Sequence, residues 1–478
     1  MNYKNKLSRI ILIVVFFYLL IFFINIHPIV PVDADDWGLI STARVAVPII
    51  RGWNPSKIFP EVLMPLCGSI AAYVINPICN DYIKSIIITN ALIVSIAITL
   101  YVYAFYLMIR QKAKKDMTAI WMTVIFFLCH YLIFRSGVSN NAYMFWACDM
   151  TCYYNYLIPS LLNAGIVMTI ESKDFYNIPK SLKTLMLYLA LFSNLFSSYI
   201  LVLYVAIKIL TDVTNKKCSI KNNINDLLIL FVWMVAMIFE VTGGRANSKE
   251  LSAQAETLIG GLFNSGLNFF EICKHINIIF LVVSIGVIVL NFIFLHKKSN
   301  VIRWVSYVIF SFAYLMILTS RVKPVYMQRT DCIFGFVFFA ILLLMISILE
   351  LSSRWECLNR ASLIMVLIAF SLCSTGSRTY APSNVIRMNE QSAITLANDI
   401  LHQITSSDND KIILEVPKFN TDSNTPFPLY MGNSITATLY KHGIIDEFKD
   451  AELVPTIKYN EIYKIKVNEP KQYLFDLE

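Results

Sequence analysis

The feature that most constrains this chain is a series of long, continuous apolar runs spread over most of its 478 residues. A helix that crosses a lipid bilayer needs about 20 mostly apolar residues. Only 15% of the residues are charged, whereas a soluble domain has about 25%. The runs also lack the alternation of outer-membrane barrel strands. The chain is therefore predicted to be an all-α polytopic membrane protein, and a single soluble enzyme domain is excluded.

The apolar runs predict about 11 transmembrane helices. The stretch Leu185–Leu210 is interrupted by Ser193 and Asn194, which predicts two short helices in a hairpin, with one long span as the alternative. The remaining predicted spans are Ile10–Ile26, Ile86–Ile109, Ala119–Phe134, Tyr156–Ile170, Asp226–Val241, Ile276–Leu295, Trp304–Ser320, Cys332–Leu349 and Ala361–Thr375.

The distribution of Lys and Arg predicts which side of the membrane each loop faces. Counted alternately along the chain, the segments on one side of the membrane hold 18 Lys and Arg in 61 residues. The segments on the other side hold 11 Lys and Arg in more than 120 residues. Cytoplasmic loops carry the excess of Lys and Arg. The amino terminus is therefore predicted to be cytoplasmic and the carboxyl-terminal tail extracytoplasmic. We expect a multi-pass membrane protein.

Two regions follow from this topology. Residues 1–375 form the predicted transmembrane domain, in which residues 27–84 make a first extracytoplasmic loop with helices lying in the interface, because Pro60, Pro65 and Pro77 interrupt it. Residues 376–478 form a predicted small extracytoplasmic α/β domain. Its predicted elements are a helix over Glu390–Ile404, strands over Lys411–Val416, Leu453–Ile457 and Tyr459–Val467, and a polar loop over Asn420–Pro428.

The first outer loop opens with three carboxylates, Asp33, Asp35 and Asp36, followed by Trp37. Gathering like charges costs free energy unless a cation, a proton or a substrate offsets it. A solvated turn in which Asp36 caps a helix starting near Gly38 would explain one acid. It would not explain three acids in a chain this poor in charge, so a functional role is favoured.

The second outer loop combines rings with polar groups, and the later outer loops carry cations. Aromatic rings beside Asp and Asn are typical of sugar sites, although an interfacial aromatic belt is the equal alternative. The late loop has three cations where topology disfavours them, which indicates a lipid phosphate, with pairing to Asp331 as the alternative. The second outer loop contributes Trp146, Asp149, Asn155 and Tyr156. The third outer loop contributes Gly243, Gly244 and Arg245, and the late loop contributes Arg321, Lys323 and Arg329.

These features together resemble the GT-C superfamily of membrane glycosyltransferases, which use polyprenyl-phosphate sugars. The resemblance rests on Asp35-Asp36-Trp37 after the first span, the aromatic loop from Trp146 to Pro159, the Gly-Gly-Arg segment and the Arg-containing late loop. It covers most of residues 1–375 and is nearest to the bacterial O-antigen glucosyltransferases and their relatives. The Gly-Gly-Arg segment, which includes Arg245, differs from the Pro-Gly-Asn form of those relatives.

The resemblance implies an inverting hexosyltransferase of the cell envelope. Asp35 would be the general base and Asp36 would bind the acceptor or orient Asp35, with the reverse order as the alternative. Cations would bind the donor phosphate: Arg329, Arg321, Lys323 and Arg245. Sugar or acceptor would contact the remaining polar and aromatic residues: Asp33, Trp37, Trp146, Asp149, Asn155 and Tyr156.

The implied partners are a polyprenyl-phosphate sugar donor, a glycan or lipid-linked acceptor of an envelope polysaccharide, and membrane lipid. No nucleic acid is expected, because no clustered basic face is present on a soluble region. No cofactor is expected, although a three-acid cluster has the chemistry to hold a divalent metal. The alternatives are an O-antigen or capsule polymerase, and a polysaccharide transporter or flippase, for which acids at mid-membrane depth are typical.

Overall fold

The fold was analysed in a computed structural model of the chain. The structure describes residues 3–42, 58–113, 115–134, 143–147, 149–214, 220–242, 257–294, 298–353, 386–387, 390–419, 424 and 427–467. The span predicted over Ala361–Thr375 lies outside these residues, as does Arg245.

The described chain is mostly helical. From the amino terminus the α-helices are α1 Tyr3–Ile21, α2 Ala34–Leu39, α3 Ile58–Ile70, α4 Asn76–Cys79, α5 Tyr82–Lys112, α6 Asp116–Leu132, α7 Met150–Cys152, α8 Ile158–Glu171, α9 Lys180–Leu191, α10 Leu195–Thr214, α11 Ile220–Thr242, α12 Leu258–Lys274, α13 Ile278–Phe294, α14 Lys298–Arg321 and α15 Phe334–Ser352. The tail adds α16 Glu390–Thr405, α17 Met431–Lys441 and α18 Ile457–Ile462.

Six helical segments among the described residues are long and apolar enough to cross a membrane. They are Glu61–Cys79, Tyr82–Lys112, Leu195–Thr214, Asn223–Glu240, Asn300–Arg321 and Phe334–Ser352. Shorter apolar helices cover Leu12–Ile26, Asp116–Leu132 and Ile278–Phe294. The protein is therefore a mostly helical, membrane-embedded chain. The count of eleven crossings stays a prediction.

The longest helix, α5, organises the bundle. Its 31 residues extend about 46 Å at 1.5 Å per residue, well beyond the about 30 Å of a bilayer core. It packs against α1, α3, α6 and α8. Lys112 at its carboxyl-terminal end pairs with Glu171 at 2.6 Å, whereas Tyr82 at its amino-terminal end contacts His442 of the tail. The bundle thus has two distinct ends, and the tail sits at one of them.

The proline-rich stretch of the first outer loop is continuous helix, so its predicted interruption is wrong. Pro65 lies inside α3, and a π-helical turn over Ala71–Ile75 leads directly into α4, where Pro77 lies at the helix start. Proline lacks an N–H and crowds the preceding turn. The wider π turn before Pro77 relieves that crowding and lets the helix continue. By length and composition this segment is itself a candidate span.

The break predicted in Leu185–Leu210 is confirmed. Helix α9 ends at Leu191 and α10 begins at Leu195. The Asn194 side chain accepts a hydrogen bond from the Ser197 N–H at 3.1 Å, and the Ser193 hydroxyl donates to the Ala190 carbonyl at 2.7 Å. These side chains satisfy backbone groups that a continuous helix would have paired.

The tail folds around a parallel strand pair. Strand β2 Lys411–Pro417 pairs with β3 Asp450–Thr456, in a register that joins Leu414 to Leu453. A second, antiparallel pair joins β1 Ile386–Arg387 to β4 Lys466–Val467. A parallel pair requires a crossover connection, and α17 lies within it. The predicted helix and the predicted strand over Lys411–Val416 are confirmed, but most of Tyr459–Val467 is not strand, because α18 and a turn precede β4.

Candidate functional site

The acidic segment of the first outer loop forms a compact capping structure on α2. Asp33 is the N-cap residue, and its side chain accepts a hydrogen bond from the Asp35 N–H at 2.9 Å. The Asp36 side chain reaches back to the N–H of Asp33 at 3.3 Å and of Val32 at 3.2 Å. This reciprocal arrangement is a capping box. The capping role predicted for Asp36 therefore belongs to Asp33, and the helix begins at Ala34 rather than near Gly38.

Asp36 also joins the first outer loop to the second. Its carboxylate accepts hydrogen bonds from the backbone N–H and the hydroxyl of Thr151, both at 2.8 Å, and it is inaccessible to solvent. Burial, together with the charge of Asp149, raises the pKa of Asp36 to about 7. The donors of Thr151 and Val32 oppose that rise, because they stabilise the charged form. The oxygens of Asp36 are therefore already occupied by donors of the protein.

Asp149 is the acidic residue that the second outer loop contributes to the site. It is the N-cap residue of α7 and accepts a hydrogen bond from the Cys152 N–H at 2.6 Å. Burial raises its pKa, and the Cys152 thiol and the Arg329 guanidinium oppose the rise. Burial and the charges of Asp149 and Asp36 also raise the pKa of Asp33. Asp33, Asp36 and Asp149 therefore share one electrostatic environment.

Arg329 reaches the same place from the far end of the sequence. Its guanidinium binds Asp331 through two hydrogen bonds of 3.1 and 2.6 Å and donates to the Cys152 thiol at 2.9 Å. It also lies between two aromatic rings, 4.9 Å from the centre of Tyr156 and 5.0 Å from that of Tyr326. The pairing with Asp331, the alternative considered for this loop, is thus observed. Both partners are buried, which is costly unless the pair stays intact.

The other two cations of the late loop are exposed. Arg321 ends α14, and Lys323 precedes a short 3-10 turn over Pro324–Gln328 that leads to Arg329. Within the described ranges neither side chain makes a hydrogen bond or ion pair. In the described part of the chain, the late loop therefore has two exposed cations without a bonding partner, Arg321 and Lys323, and one buried guanidinium, that of Arg329, paired with Asp331.

The aromatic and amide residues predicted for this site have different surroundings. Trp37 and Trp146 are buried, and in the described part of the chain the indole N–H of each has no hydrogen-bond partner. Tyr156 is half-buried and lies against the Arg329 guanidinium. Asn155 donates to the Thr151 carbonyl at 3.1 Å, and its own carbonyl accepts from Asn194. The two indole N–H groups therefore need a ligand or a rearrangement of the protein to gain a hydrogen-bond acceptor.

The structure thus brings together most of the predicted residues. Asp33 and Asp36 form the capping box of α2, Thr151 bonds Asp36, and the next residue, Cys152, bonds both Asp149 and Arg329. Asp35 projects from the same short helix into solvent. No group of three or more His, Cys, Asp or Glu side chains among the described residues is arranged to hold a metal ion. The arrangement therefore offers an exposed carboxylate beside one buried and two half-buried carboxylates, with the Arg329 guanidinium close by.

Three contributors were missed from the sequence. Thr151 and Cys152 hold Asp36 and Arg329, and both stand in the aromatic loop that the sequence singles out for its rings. The third is α17 of the tail, whose Thr438 donates to the Trp37 carbonyl at 2.6 Å. The spacing of Met431, Ile435 and Leu439 is that of an amphipathic helix face and would have revealed α17.

The chain was compared with protein-family models, with curated proteins and with solved structures, and none of the three comparisons found a match.

Proposed function

We propose that this protein is an inverting glycosyltransferase that moves a sugar from a polyprenyl-phosphate donor to an envelope glycan or lipid-linked acceptor. The observation that carries the proposal is the meeting of carboxylates from the first and second outer loops with a guanidinium from almost 300 residues further along the chain. A base and a cation are the two groups that such a transfer needs. We propose that this end of the bundle faces the extracytoplasmic side of a bacterial inner membrane.

Asp35 is the proposed general base. It is the exposed carboxylate of the cluster, whereas Asp36 is occupied by four hydrogen bonds and acts by holding α2 against the second outer loop. Asp35 would take the proton of the acceptor hydroxyl while that oxygen attacks the anomeric carbon. The bond from that carbon to the phosphate oxygen breaks on the opposite face, so the configuration inverts and polyprenyl phosphate leaves as an anion.

Cations stabilise the leaving phosphate, and the structure supports different roles for the three cations of the late loop. Arg321 and Lys323 are exposed and unpaired within the described ranges, so they are available to contact the phosphate directly. Arg329 is already neutralised by Asp331, and two rings sandwich it. We propose that Arg329 adds to the local field and positions Tyr156 for contact with the sugar, while Arg321 and Lys323 carry the phosphate.

The substitution Asp35→Asn tests the base assignment. It removes the proton acceptor but keeps the size and polarity of an exposed side chain, so we expect sugar transfer to fall by at least 100-fold, as is typical for loss of a general base. The assay measures transfer of labelled sugar from a polyprenyl-phosphate donor in reconstituted membranes. Asp408→Asn is the matched control, because Asp408 is an exposed aspartate of the tail.

Normal transfer by the Asp35→Asn variant would refute the assignment of the base. A wild-type protein that joins lipid-linked repeat units, but transfers nothing from a single-sugar donor, would instead favour the polymerase. Movement of glycan across the membrane without any new glycosidic bond would favour a transporter or flippase.

A further inference from the structure

The tail is docked directly on the acidic helix of the candidate site. On one side of the contact, the Thr438 hydroxyl donates to the Trp37 carbonyl at 2.6 Å and lies 2.7 Å from the Ser41 hydroxyl. On the other side, His442 bonds the Tyr82 hydroxyl at 2.6 Å. Because Trp37 directly follows Asp36, the position of α17 is tied to the position of the carboxylates.

A groove remains open between α2 and α17. It has a volume of about 270 Å³ and is lined by small and polar residues of α2, of the segment just after α2 and of α17: Gly38, Ser41, Thr42, Asn433, Ser434, Ala437 and Thr438. A side-chain carbon built on Gly38 would meet no other atom within 4 Å. The glycine therefore faces open space, and α2 and α17 are separated there.

The lining indicates the class of ligand. Hydroxyl and amide groups donate and accept hydrogen bonds without charge, which suits a neutral ligand rich in hydroxyls. The Ser434 hydroxyl makes no hydrogen bond within the described residues. The volume lies just below the about 300 Å³ at which pockets for drug-sized molecules begin, and so suits one sugar unit of a longer glycan.

Tyr430 directly precedes α17, one turn before the groove residues Asn433 and Ser434. Its ring is 67% exposed, and burial together with the charges of Asp35 and Asp33 raises its pKa. The tyrosine therefore lies within electrostatic reach of the proposed base. An exposed ring beside a hydroxyl-lined groove is able to contact the apolar face of a sugar.

We propose that the groove between α2 and α17 binds a sugar unit of the glycan acceptor, so that the tail supplies half of the acceptor site. This inference rests on the proposed glycosyltransferase function and adds to it the side from which the acceptor enters. Tyr430 contacts the acceptor at the end of the groove nearest Asp35. The donor, bound at the cations of the late loop, does not use the groove.

Two substitutions fill the groove from opposite sides. Gly38→Leu fills it from α2, where a side chain meets no atom, and Ala437→Leu fills it from α17. Both variants are assayed with a labelled polyprenyl-phosphate hexose and with oligosaccharide released from membranes of cells that lack the protein. We expect each variant to raise the KM for the oligosaccharide at least tenfold and to leave the donor KM unchanged.

The control is Gly286→Leu, which adds the same side chain at another open glycine, on the exposed face of α13. It should keep the wild-type KM for both substrates. An unchanged oligosaccharide KM in either groove variant overturns the inference, and so does an equal change in the donor KM. Use of two variants from two domains separates the loss of the groove from misfolding of one element.

Failure of the proposed function gives a different result. If the wild-type protein transfers no sugar, binding of the released oligosaccharide is measured directly by saturation-transfer NMR. Binding that Gly38→Leu and Ala437→Leu both abolish supports the groove without the reaction. Binding that is absent in the wild type, or unaffected by both substitutions, overturns the inference.

Discussion

At the scale of single residues, the site depends on ionisable groups that the fold holds away from water. Asp36 accepts four hydrogen bonds from the protein, and Arg329 is bound by Asp331 and enclosed by two rings. These contacts replace lost hydration only while every partner stays in place. We therefore regard Thr151 as the residue that fixes the first outer loop against the second, and Asp331 as the residue that fixes Arg329 in the late loop.

The raised pKa of Asp36 predicts the pH dependence of stability. Folded Asp36 keeps its proton up to about pH 7, whereas the unfolded chain releases it near the ordinary pKa of 3.8. Between these values the unfolded state binds fewer protons, so the free energy of unfolding falls as the pH rises. We expect Asp36→Asn to make this dependence shallower, measured by thermal unfolding in detergent micelles from pH 4.5 to 7.5.

The same measurement on Asp408→Asn should reproduce the wild-type dependence, because this aspartate is exposed. A slope that Asp36→Asn leaves unchanged would mean that Asp36 is ionised throughout this range. The hydrogen bonds of Thr151 would then outweigh the burial of the carboxylate.

At the scale of elements, the late loop is positioned by a close approach of two helices. A side-chain carbon on Gly261 of α12 would lie 2.4 Å from the Ser320 carbonyl oxygen of α14. One turn further along, the Ser265 and Thr319 hydroxyls lie 2.9 Å apart. The Gln328 amide donates to Asn268 of α12 at 2.7 Å, just before Arg329. Helix α12 therefore holds the loop that carries the guanidinium.

Gly261→Ala is expected to push α12 and α14 apart, because the added methyl meets backbone rather than a flexible side chain. Overpacking of this kind costs about 1–3 kcal/mol. The expected result is a lower melting temperature together with a weaker affinity for the donor. Gly266→Ala in the same helix is the matched control, since its methyl would meet only the Met316 side chain at 3.7 Å. Equal melting temperatures for the two variants would contradict the close approach.

At the scale of the whole molecule, the tail and the helical bundle share one end. Tyr82 begins the longest helix and bonds His442, and the Tyr73 hydroxyl donates to the Lys441 carbonyl. The amino-terminal end of α5, beyond the length a bilayer requires, thus serves as a platform for the tail. These hydrogen bonds help to fix the tail on the end of the bundle.

Tyr82→Phe removes one of these bonds and leaves the buried His442 ring without its hydroxyl partner. An unsatisfied buried polar group costs about 1–3 kcal/mol. We expect hydrogen exchange in Met431–Lys441 to accelerate about tenfold or more, as ~1.4 kcal/mol corresponds to a factor of ten. The readout is exchange followed by mass spectrometry. Tyr440→Phe, on the exposed side of α17, should leave the exchange rates at their wild-type values.

Part of the site was predictable, because its residue types are rare in this chain. Three aspartates beside a tryptophan and three cations in a short late loop stand out against apolar surroundings. The sequence left open how these residues pair. The bonds of Thr151 to Asp36 do not follow from spacing, because they depend on how the first and second outer loops pack, whereas the capping box of Asp33 and Asp36 is local to one turn.

The sequence by itself determined the class of the molecule. Long apolar runs are stable as helices in lipid, because the helix satisfies its backbone polar groups internally. Interruption by Ser193 and Asn194 likewise fixed the break between α9 and α10, since local side chains there compete for backbone hydrogen bonds. Such local effects are readable from neighbouring residues alone.

The tertiary structure alone decided which distant groups meet. The bond of Arg329 to Cys152, the burial of Asp36 against Thr151 and the docking of α17 on α2 join segments separated by up to about 400 residues. Desolvation and charge proximity depend on three-dimensional packing, and no periodicity in a sequence encodes them. The sequence therefore determines which residues carry charge, and the fold determines which of them are buried, paired or exposed.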